Sequence, residues 1–298
     1  MGLSTTTAAR WVERWELQQQ RYAIDREERF TVIADVVEHV TAGRRHPLVV
    51  DLGCGPGSLA VRLARRLPRA RIVAVDMDPV LLELARAHAG SGGPAHAVRY
   101  VEAVIGAEGW TSALGLDGPL DAAVSTTALH YLPGHRLQRV YGQLAGILRP
   151  GGVLVNADHL VPEDASDIAV HVGRRRARRQ RAFAHEDWES WWAAAEQDPE
   201  LTDLFAQRRR LHGSVPGTTG GDAHPTAAGH TAGARDGGGW DSGRRDAGRE
   251  SARRDDGRGS GNNGLTLDRH TAMLRAAGFG QAAPVWQVGS SCVLVAVR

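Results

Sequence analysis

The stretch from Val49 to Ala60 constrains the fold more than any other part of the chain. An apolar run ends at Asp51, glycines follow at alternate positions 53, 55 and 57, and an apolar segment begins after Ser58. This order predicts a buried strand, a tight turn and then a helix. Glycines let the backbone approach a ligand closely, and a helix N-terminus presents unpaired N–H groups at the same place. The turn is therefore a candidate site for a nucleotide-like or amino-acid-like ligand.

The glycine spacing discriminates between ligands. A dinucleotide fingerprint, G-x-G-x-x-G, requires glycine where this chain has Ser58, whereas the third glycine here is Gly57. Together with Asp51, this G-x-G-x-G pattern resembles the first motif of the class I S-adenosylmethionine (SAM)-dependent methyltransferases. The segments 121–132 and 148–152 resemble the fourth-strand and pre-fifth-strand motifs of the small-molecule members of that family.

The order of elements favours an α/β fold. Apolar runs predict strands at 47–52, 71–76, 97–103, 120–125 and 153–157, then a hairpin of 281–288 and 291–297. Helical segments are predicted between them at 57–67, 79–88 and 134–148, and Asp78 is expected to cap the second of these. Such alternation predicts a Rossmann-like, doubly wound, mostly parallel seven-stranded sheet with a C-terminal antiparallel hairpin.

Five regions are expected along the chain. Helical spacing runs over 8–42, which predicts an N-terminal helical cap, and Gly, Arg and Asp without apolar periodicity predict a disordered insert. The predicted regions are the cap (1–45), the SAM-binding core (46–160), a helical substrate or lid region (161–211), the insert (212–264), and a helix and hairpin completing the core (265–298).

The resemblance implies SAM as cofactor and S-adenosylhomocysteine as product. It implies that Asp51 organises the turn and reaches the methionine amino group, while Asp76 accepts the ribose hydroxyls. The family's usual adenine-binding acid falls on Val104, a departure that leaves Glu102 as a weak substitute. The implied SAM-binding residues are Asp51, Gly53, Cys54, Gly55, Gly57, Asp76, Met77, Val104, Ile105, Ser125 and Thr126.

Two histidines follow the predicted fourth and fifth strands and are candidate catalytic groups. His130 and His159 could each deprotonate a hydroxyl or amine nucleophile; the alternative is a structural or substrate-lining role. Aromatic residues at helical spacing predict a lid that excludes water, or else plain core. The lid candidates are Trp11, Trp15, Tyr22 and Tyr131, with Trp188, Trp191 and Trp192 as a second wall.

Composition excludes several classes of function. The net charge is +2, every one of the 36 basic residues is arginine, and the arginine run at 174–181 is flanked by acids, so nucleic-acid binding is disfavoured. Two cysteines suggest neither a metal site nor a disulfide framework. We find neither a membrane-length apolar run nor a secretory signal, which favours a cytoplasmic protein. The oligomeric state stays open.

The leading hypothesis is a SAM-dependent methyltransferase that acts on O, N or C of a small-molecule substrate. Proximity and desolvation would supply most of its acceleration. The alternatives are a non-catalytic SAM-binding or interaction protein and, more distantly, a nicotinamide-dependent oxidoreductase.

Overall fold

A computed structural model describes residues 2–23, 25–89, 98–163, 167–181, 186–214 and 263–298. The strands are β1 (Leu48–Leu52), β2 (Arg71–Asp76), β3 (Val98–Glu102), β4 (Leu120–Thr126), β5 (Leu148–His159), β6 (Gln281–Val288) and β7 (Ser291–Val297). The helices are α1 (Thr5–Gln19), α2 (Arg26–Val40), α3 (Ser58–Arg66), α4 (Pro79–Ala89), α5 (Trp110–Ala113), α6 (Gly134–Ile147), α7 (Asp167–Arg181), α8 (Trp188–Glu196), α9 (Thr202–Ser214) and α10 (Leu267–Ala276).

The strands form one seven-stranded sheet in the order β3-β2-β1-β4-β5-β7-β6. Neighbouring strands are parallel from β3 to β5, while β7 is antiparallel to both β5 and β6. Strand order reverses between β1 and β4, which is where open α/β sheets bind their ligands, beyond the carboxyl ends of the strands. The predicted Rossmann-like α/β fold with a C-terminal antiparallel hairpin is confirmed.

Helices cover both faces of the sheet. On one face, Phe30 and Ile33 of α2 pack with Leu63 of α3. On the other, Tyr141 of α6 packs with Leu274 of α10. The strands between them are buried on both sides, as the continuous apolar runs in the sequence predict.

The N-terminal region differs from the single helical segment predicted over 8–42. It forms α1 and α2, and Asp25 before α2 adopts a left-handed conformation with φ of +53°. Asp tolerates that conformation better than most side chains, and a helix cannot continue through it. The break lets α1 leave α2 and pack its apolar face on Val80 and Leu84 of α4.

A further difference concerns the length of β5. Strand β5 begins at Leu148 rather than 153, because Leu148 already pairs with Leu120 of β4. The predicted helical region 161–211 contains α7, α8 and α9.

Most of the predicted insert, residues 215–262, lies outside the described residues, so its disorder stays a prediction. Among the described helices, none combines the length and apolar character that a membrane crossing requires.

Candidate active site

The glycine turn after β1 has the geometry that its sequence predicts. Gly53, Gly55 and Gly57 all have positive φ, at +71°, +54° and +87°. A Cβ on Gly53 would lie 2.4 Å from the Ala128 Cβ, and one on Gly57 would lie 2.6 Å from the Tyr100 hydroxyl. Side chains are therefore excluded here by conformation and by space. Cys54, between two of the glycines, is buried.

Asp51, at the end of β1, is a fully buried carboxylate. Neither of its oxygens has a hydrogen-bond partner of good geometry within the described part of the chain. Burial raises the pKa of Asp51 to about 7, the nearby charge of Asp76 adds to the rise, and the Ala60 amide of α3 opposes it. A buried carboxylate without a donor is costly, so the position favours a ligand that brings a positive charge or an N–H.

Asp76, at the end of β2, faces the same turn. Its Oδ2 accepts from the Gly55 amide at 2.8 Å and its Oδ1 accepts from the Asp78 amide at 3.0 Å. Burial raises the pKa of Asp76 to about 6, although these backbone hydrogen bonds oppose the rise. Asp78 caps α4 by accepting from the Val80 amide at 3.0 Å, which confirms the prediction for this residue. The Arg208 Nε of α9 donates to Asp78 at 2.7 Å.

The predicted adenine-binding residues lie beyond β2 and β3. Met77 is 36% exposed, while Val104 and Ile105 are half-buried. Ile105 packs against the main core cluster. Glu102, the weak substitute for the missing acid, is exposed at the end of β3. This part of the edge therefore offers apolar surface.

Helix α1 covers the glycine turn. The Trp15 ring lies 3.5 Å from the position of a Cβ on Gly55. The next residue, Glu16, accepts hydrogen bonds from Arg26 of α2, Arg62 of α3 and the Ser58 hydroxyl at the start of α3. Burial raises the pKa of Glu16, but Arg26 and Arg62 outweigh it and lower the pKa to about 2. An ionised carboxylate thus ties α1 to the helix that follows the turn.

The tryptophans among the lid and wall candidates form one aromatic cluster. Trp11 and Trp15 are buried, and their ring centroids lie 5.6 Å and 5.1 Å from that of Trp191. The Tyr22 hydroxyl accepts from the Trp188 amide at 2.9 Å. Trp11 packs with α4 and its Nε1 donates to Asp198 at 2.8 Å, whereas Trp15 contacts Gly55 of the turn. Tyr131, at 51% exposure, is outside this cluster.

The loop after β4 is strained. The Ser125 hydroxyl donates to the Leu52 carbonyl of β1 at 2.9 Å, and Thr126 is half-buried at the strand end. Thr127 then adopts a φ of +50°, which is unfavourable for a β-branched residue. Such strain costs on the order of 1–3 kcal/mol and is concentrated at functional sites. The conformation leads the chain into the short 3-10 helix Leu129–Tyr131 that contains His130.

His130 forms a pair with Asp158 of β5. The Nδ1 of His130 lies 2.7 Å from the Asp158 Oδ1, and the His130 amide donates to Oδ2 at 3.2 Å. Burial would raise the pKa of Asp158, but His130 and His159 lower it well below its usual range. Burial lowers the pKa of His159, with Asp158 opposing and Arg29 adding to the effect. The two imidazole rings lie 6.5 Å apart, so the structure brings both predicted histidines together.

Arg29 of α2 is a charged residue that the sequence analysis did not single out. It is 0% exposed. Its Nη2 donates to the Thr126 hydroxyl at 3.4 Å and its Nη1 to the Ser291 hydroxyl at 3.5 Å, both long distances. Burial lowers the pKa of Arg29 to about 10, and Asp158 partly offsets this. The side chain therefore stays charged at neutral pH.

A signal for each missed residue is present in the sequence. Arg29 precedes Ile33 by four residues and Val37 by eight, so helical periodicity places it on the buried face of α2. Asp158 alternates with Asn156 in an apolar strand, and strand periodicity places both on one side of the sheet. A charged residue at a core position of an amphipathic pattern is therefore the informative feature.

Comparison with known proteins agrees with this geometry. Residues 49–152 match the methyltransferase domain family. Over 184 residues, or 59% of this chain and 64% of the relative, the sequence is 36% identical to the trans-aconitate 2-methyltransferase of Streptomyces avermitilis. Over 108 residues, or 36% of this chain and 33% of the relative, it is 39% identical to the trans-aconitate 2-methyltransferase of Streptomyces coelicolor. The chain thus spans less than two thirds of the length of either relative.

A solved structure shows a more distant likeness. An O-methyltransferase family protein from Burkholderia thailandensis is 16% identical with a TM-score of 0.48, over 90% of this chain and 55% of that one. A likeness at this level carries no conclusion about activity. The domain match over residues 49–152 and the sheet topology together support the predicted class, that of the class I SAM-dependent methyltransferases. S-adenosylmethionine is the cofactor of that family.

The residues at the edge of the sheet fit this cofactor. SAM carries a cationic amino group and a sulfonium, and Asp51 offers a buried carboxylate whose oxygens lack partners. The glycines at 53, 55 and 57 have positive φ and carry no side chains, so the backbone of the turn can lie close to a ligand. Asp76, at the end of the adjacent strand, is placed to accept hydroxyl hydrogens.

Proposed function

We propose that this protein transfers a methyl group from SAM to an oxygen, nitrogen or carbon atom of a small metabolite. One observation carries the proposal. At the point where strand order reverses, the glycine turn with the unpartnered carboxylate of Asp51 stands beside a loop that holds the His130–Asp158 pair. The first group suits a cationic donor, and the second suits an acceptor that must lose a proton.

The donor side of the site would be held by residues of β1 and β2. Asp51 would bind the amino group, Asp76 the ribose hydroxyls, and Met77, Val104 and Ile105 would pack against the adenine. When bound, SAM supplies a methyl group that its sulfonium already activates. Trp15, held over the turn by its helix, would exclude water and keep the reacting atoms aligned.

His130 would take the proton of a hydroxyl or amine acceptor. Its Nδ1 donates to the Asp158 carboxylate, which orients the ring and leaves Nε2 as the proton acceptor. The His130 side chain is 12% exposed, so the ring is not sealed in the core. His159 would line the acceptor pocket as a neutral imidazole, because its pKa is lowered by burial. We also propose a cytoplasmic location.

The test is a labelled-SAM assay over a panel of small metabolites. Trans-aconitate is the first carboxylic acid to include, because the curated relatives are named for it. With a hydroxyl or amine acceptor, His130→Gln should lower kcat by about 10²–10⁴-fold and leave the SAM dissociation constant unchanged.

A matched control and two contrary outcomes define this test. His39→Gln changes an exposed histidine at the end of α2, and it should leave kcat unaltered. Binding of NAD without binding of SAM would reject the proposal. Binding of SAM with no turnover over the whole panel would instead favour the non-catalytic SAM-binding protein.

A further inference from the structure

Resting on the proposed function, we propose that Arg29 binds a carboxylate group at the carboxyl edge of β4 and β5. No functional role is otherwise assigned to this residue. Its guanidinium is completely buried, and among the residues that the structure describes it forms no ion pair. Its Nε has no hydrogen-bond partner there, and its two other hydrogen bonds are the long ones to Thr126 and Ser291.

The acids near Arg29 are each engaged elsewhere. Asp158 accepts from His130 through both oxygens and from the His159 amide at 2.9 Å. Asp25 forms an ion pair with Arg176 at 2.7 Å. Arg29 is therefore a buried cation whose nearby countercharges bind other groups. A buried cation of this kind is strongly unfavourable unless an anion pairs with it.

The chemistry of the site favours a carboxylate as that anion. A guanidinium presents N–H groups as a planar fork that matches the two oxygens of a carboxylate. The hydroxyl groups of Thr126 and Ser291 already lie against the fork, and His159 beside them is neutral. Because Asp158 is paired with His130 and Asp25 with Arg176, the single charge of Arg29 suits the single negative charge of a carboxylate better than the larger charge of a phosphate group.

Two sources could supply the carboxylate. One is the methyl acceptor, and the other is the α-carboxylate of the methionine part of SAM. Arg29 contacts the end of β4 and the start of β7, whereas the glycine turn follows β1. This position favours the acceptor, and the experiment separates the two sources.

The experiment uses Arg29→Met, which keeps an unbranched apolar stem and removes the charge, and Arg29→Lys, which keeps the charge and removes the planar fork. The control is Arg71→Met, because Arg71 forms an exposed ion pair with Asp117 at the opposite end of the sheet. Calorimetry with protein saturated in S-adenosylhomocysteine measures the binding of succinate, glutarate and tricarballylate, each beside its amide. Calorimetry with the free protein compares SAM with decarboxylated SAM.

If Arg29 binds a carboxylate of the acceptor, at least one of the acids should bind the wild type and should bind Arg29→Met at least tenfold more weakly. The affinities of both proteins for the amides and for SAM should then be the same. A SAM carboxylate predicts that Arg29→Met weakens SAM at least tenfold but leaves decarboxylated SAM unchanged. Either result supports the binding of a carboxylate by Arg29. Arg29→Lys should lose less affinity than Arg29→Met. If Arg29→Met fails to fold, Arg29→Lys still tests whether the planar guanidinium is needed.

The proposal is overturned when Arg29→Met folds and binds every acid and SAM as the wild type does. It is equally overturned when Arg29→Met weakens the binding of the acids and of their amides by the same factor. It is also overturned when the wild type binds each acid no better than its amide and binds SAM no better than decarboxylated SAM. Failure of the proposed function looks different, because a wild type that binds neither SAM nor S-adenosylhomocysteine removes the donor site itself.

Discussion

The two halves of the proposed ligand-binding edge differ in the sign of the charge that lacks a partner. Beyond β1 and β2 lie the carboxyl groups of the buried Asp51 and the half-buried Asp76, whose pKa values desolvation raises to about 7 and about 6. Beyond β4 and β5, the unpaired buried charge is the Arg29 cation. From this difference we infer that the first half would suit a cationic ligand and the second an anionic one.

The two halves also differ in how their geometry is maintained. Over the glycine turn, the Glu16 network with Arg26 and Arg62 holds α1 in place. Beside β4 and β5, a strained residue, Thr127, and the His130–Asp158 pair shape the loop. Ion pairs between helices therefore hold the first half together, whereas the backbone conformation of Thr127 and the His130–Asp158 pair determine the shape of the second.

The largest expected effect comes from filling the glycine turn. Gly53→Ala places a Cβ 2.4 Å from the Ala128 Cβ and forces alanine into a positive φ. We expect loss of SAM binding by more than tenfold and destabilisation of about 2–4 kcal/mol, because conformational cost and overpacking add. Calorimetry and urea unfolding measure the two quantities.

Gly43→Ala is the matched control for that substitution. Its φ of +78° is similar, but a Cβ there meets nothing within 4 Å. It should cost about 1–2 kcal/mol and leave SAM affinity intact. Equal loss of SAM binding in both variants would show that conformation alone, without the close contact at Ala128, explains the result.

The next effect is on the pH dependence of SAM binding. Since a cationic ligand needs Asp51 ionised and burial raises the pKa of Asp51 to about 7, affinity should rise as the pH increases from 5.5 to about 8. Binding near pH 6.5 should release a proton, which calorimetry in buffers of different ionisation enthalpy detects. Asp51→Asn should bind SAM more weakly and without this pH dependence.

The pH dependence of the stability of the free protein tests the pKa of Asp51 independently of ligand binding. Because the folded-state pKa of Asp51 lies above its unfolded value, this residue costs stability progressively as the pH rises from about 4 to about 7. Asp51→Asn should therefore gain stability relative to the wild type over that range, by on the order of a few kcal/mol. A constant difference between the two proteins across the range would contradict the assignment.

The smallest expected effect concerns the strained loop. Thr127→Gly removes the cost of a β-branched residue at a φ of +50°, and should raise the free energy of unfolding by about 0.5–1 kcal/mol after the entropy cost of glycine. It should also lower kcat, because a flexible glycine no longer fixes the position of the loop that carries His130. Thr127→Asn, which tolerates the conformation, should keep kcat closer to the wild type, and lower stability in Thr127→Gly would refute the strain.

Sequence patterns predict the frame of the molecule well. Apolar runs ending in Asp51 and Asp76 mark the ends of β1 and β2, and the G-x-G-x-G spacing marks the turn, because backbone conformation limits these positions to few residue types. The alternation of strands and helices leaves only a few possible sheet topologies. The site elements that depend on local backbone geometry were therefore visible in the sequence.

The groups that depend on tertiary packing were harder to predict. The His130–Asp158 pair joins residues that are 28 positions apart, and the pairing requires the parallel register of β4 and β5. The role of Arg29 is defined by burial against residues near 126 and 291. An abundance of arginine in this chain also weakens the signal of any single arginine. The sequence does not reveal the break between α1 and α2, because the apolar spacing continues through it.

The position of Trp15 against Gly55 also has an optical consequence. Its ring lies within 5.1–5.2 Å of those of Trp188 and Trp191, so excitation can pass among indoles that end beside the glycine turn. Intrinsic fluorescence of the native protein will thus respond to a ligand seated at that turn, and the occupancy of the donor pocket can be followed in solution without a dye.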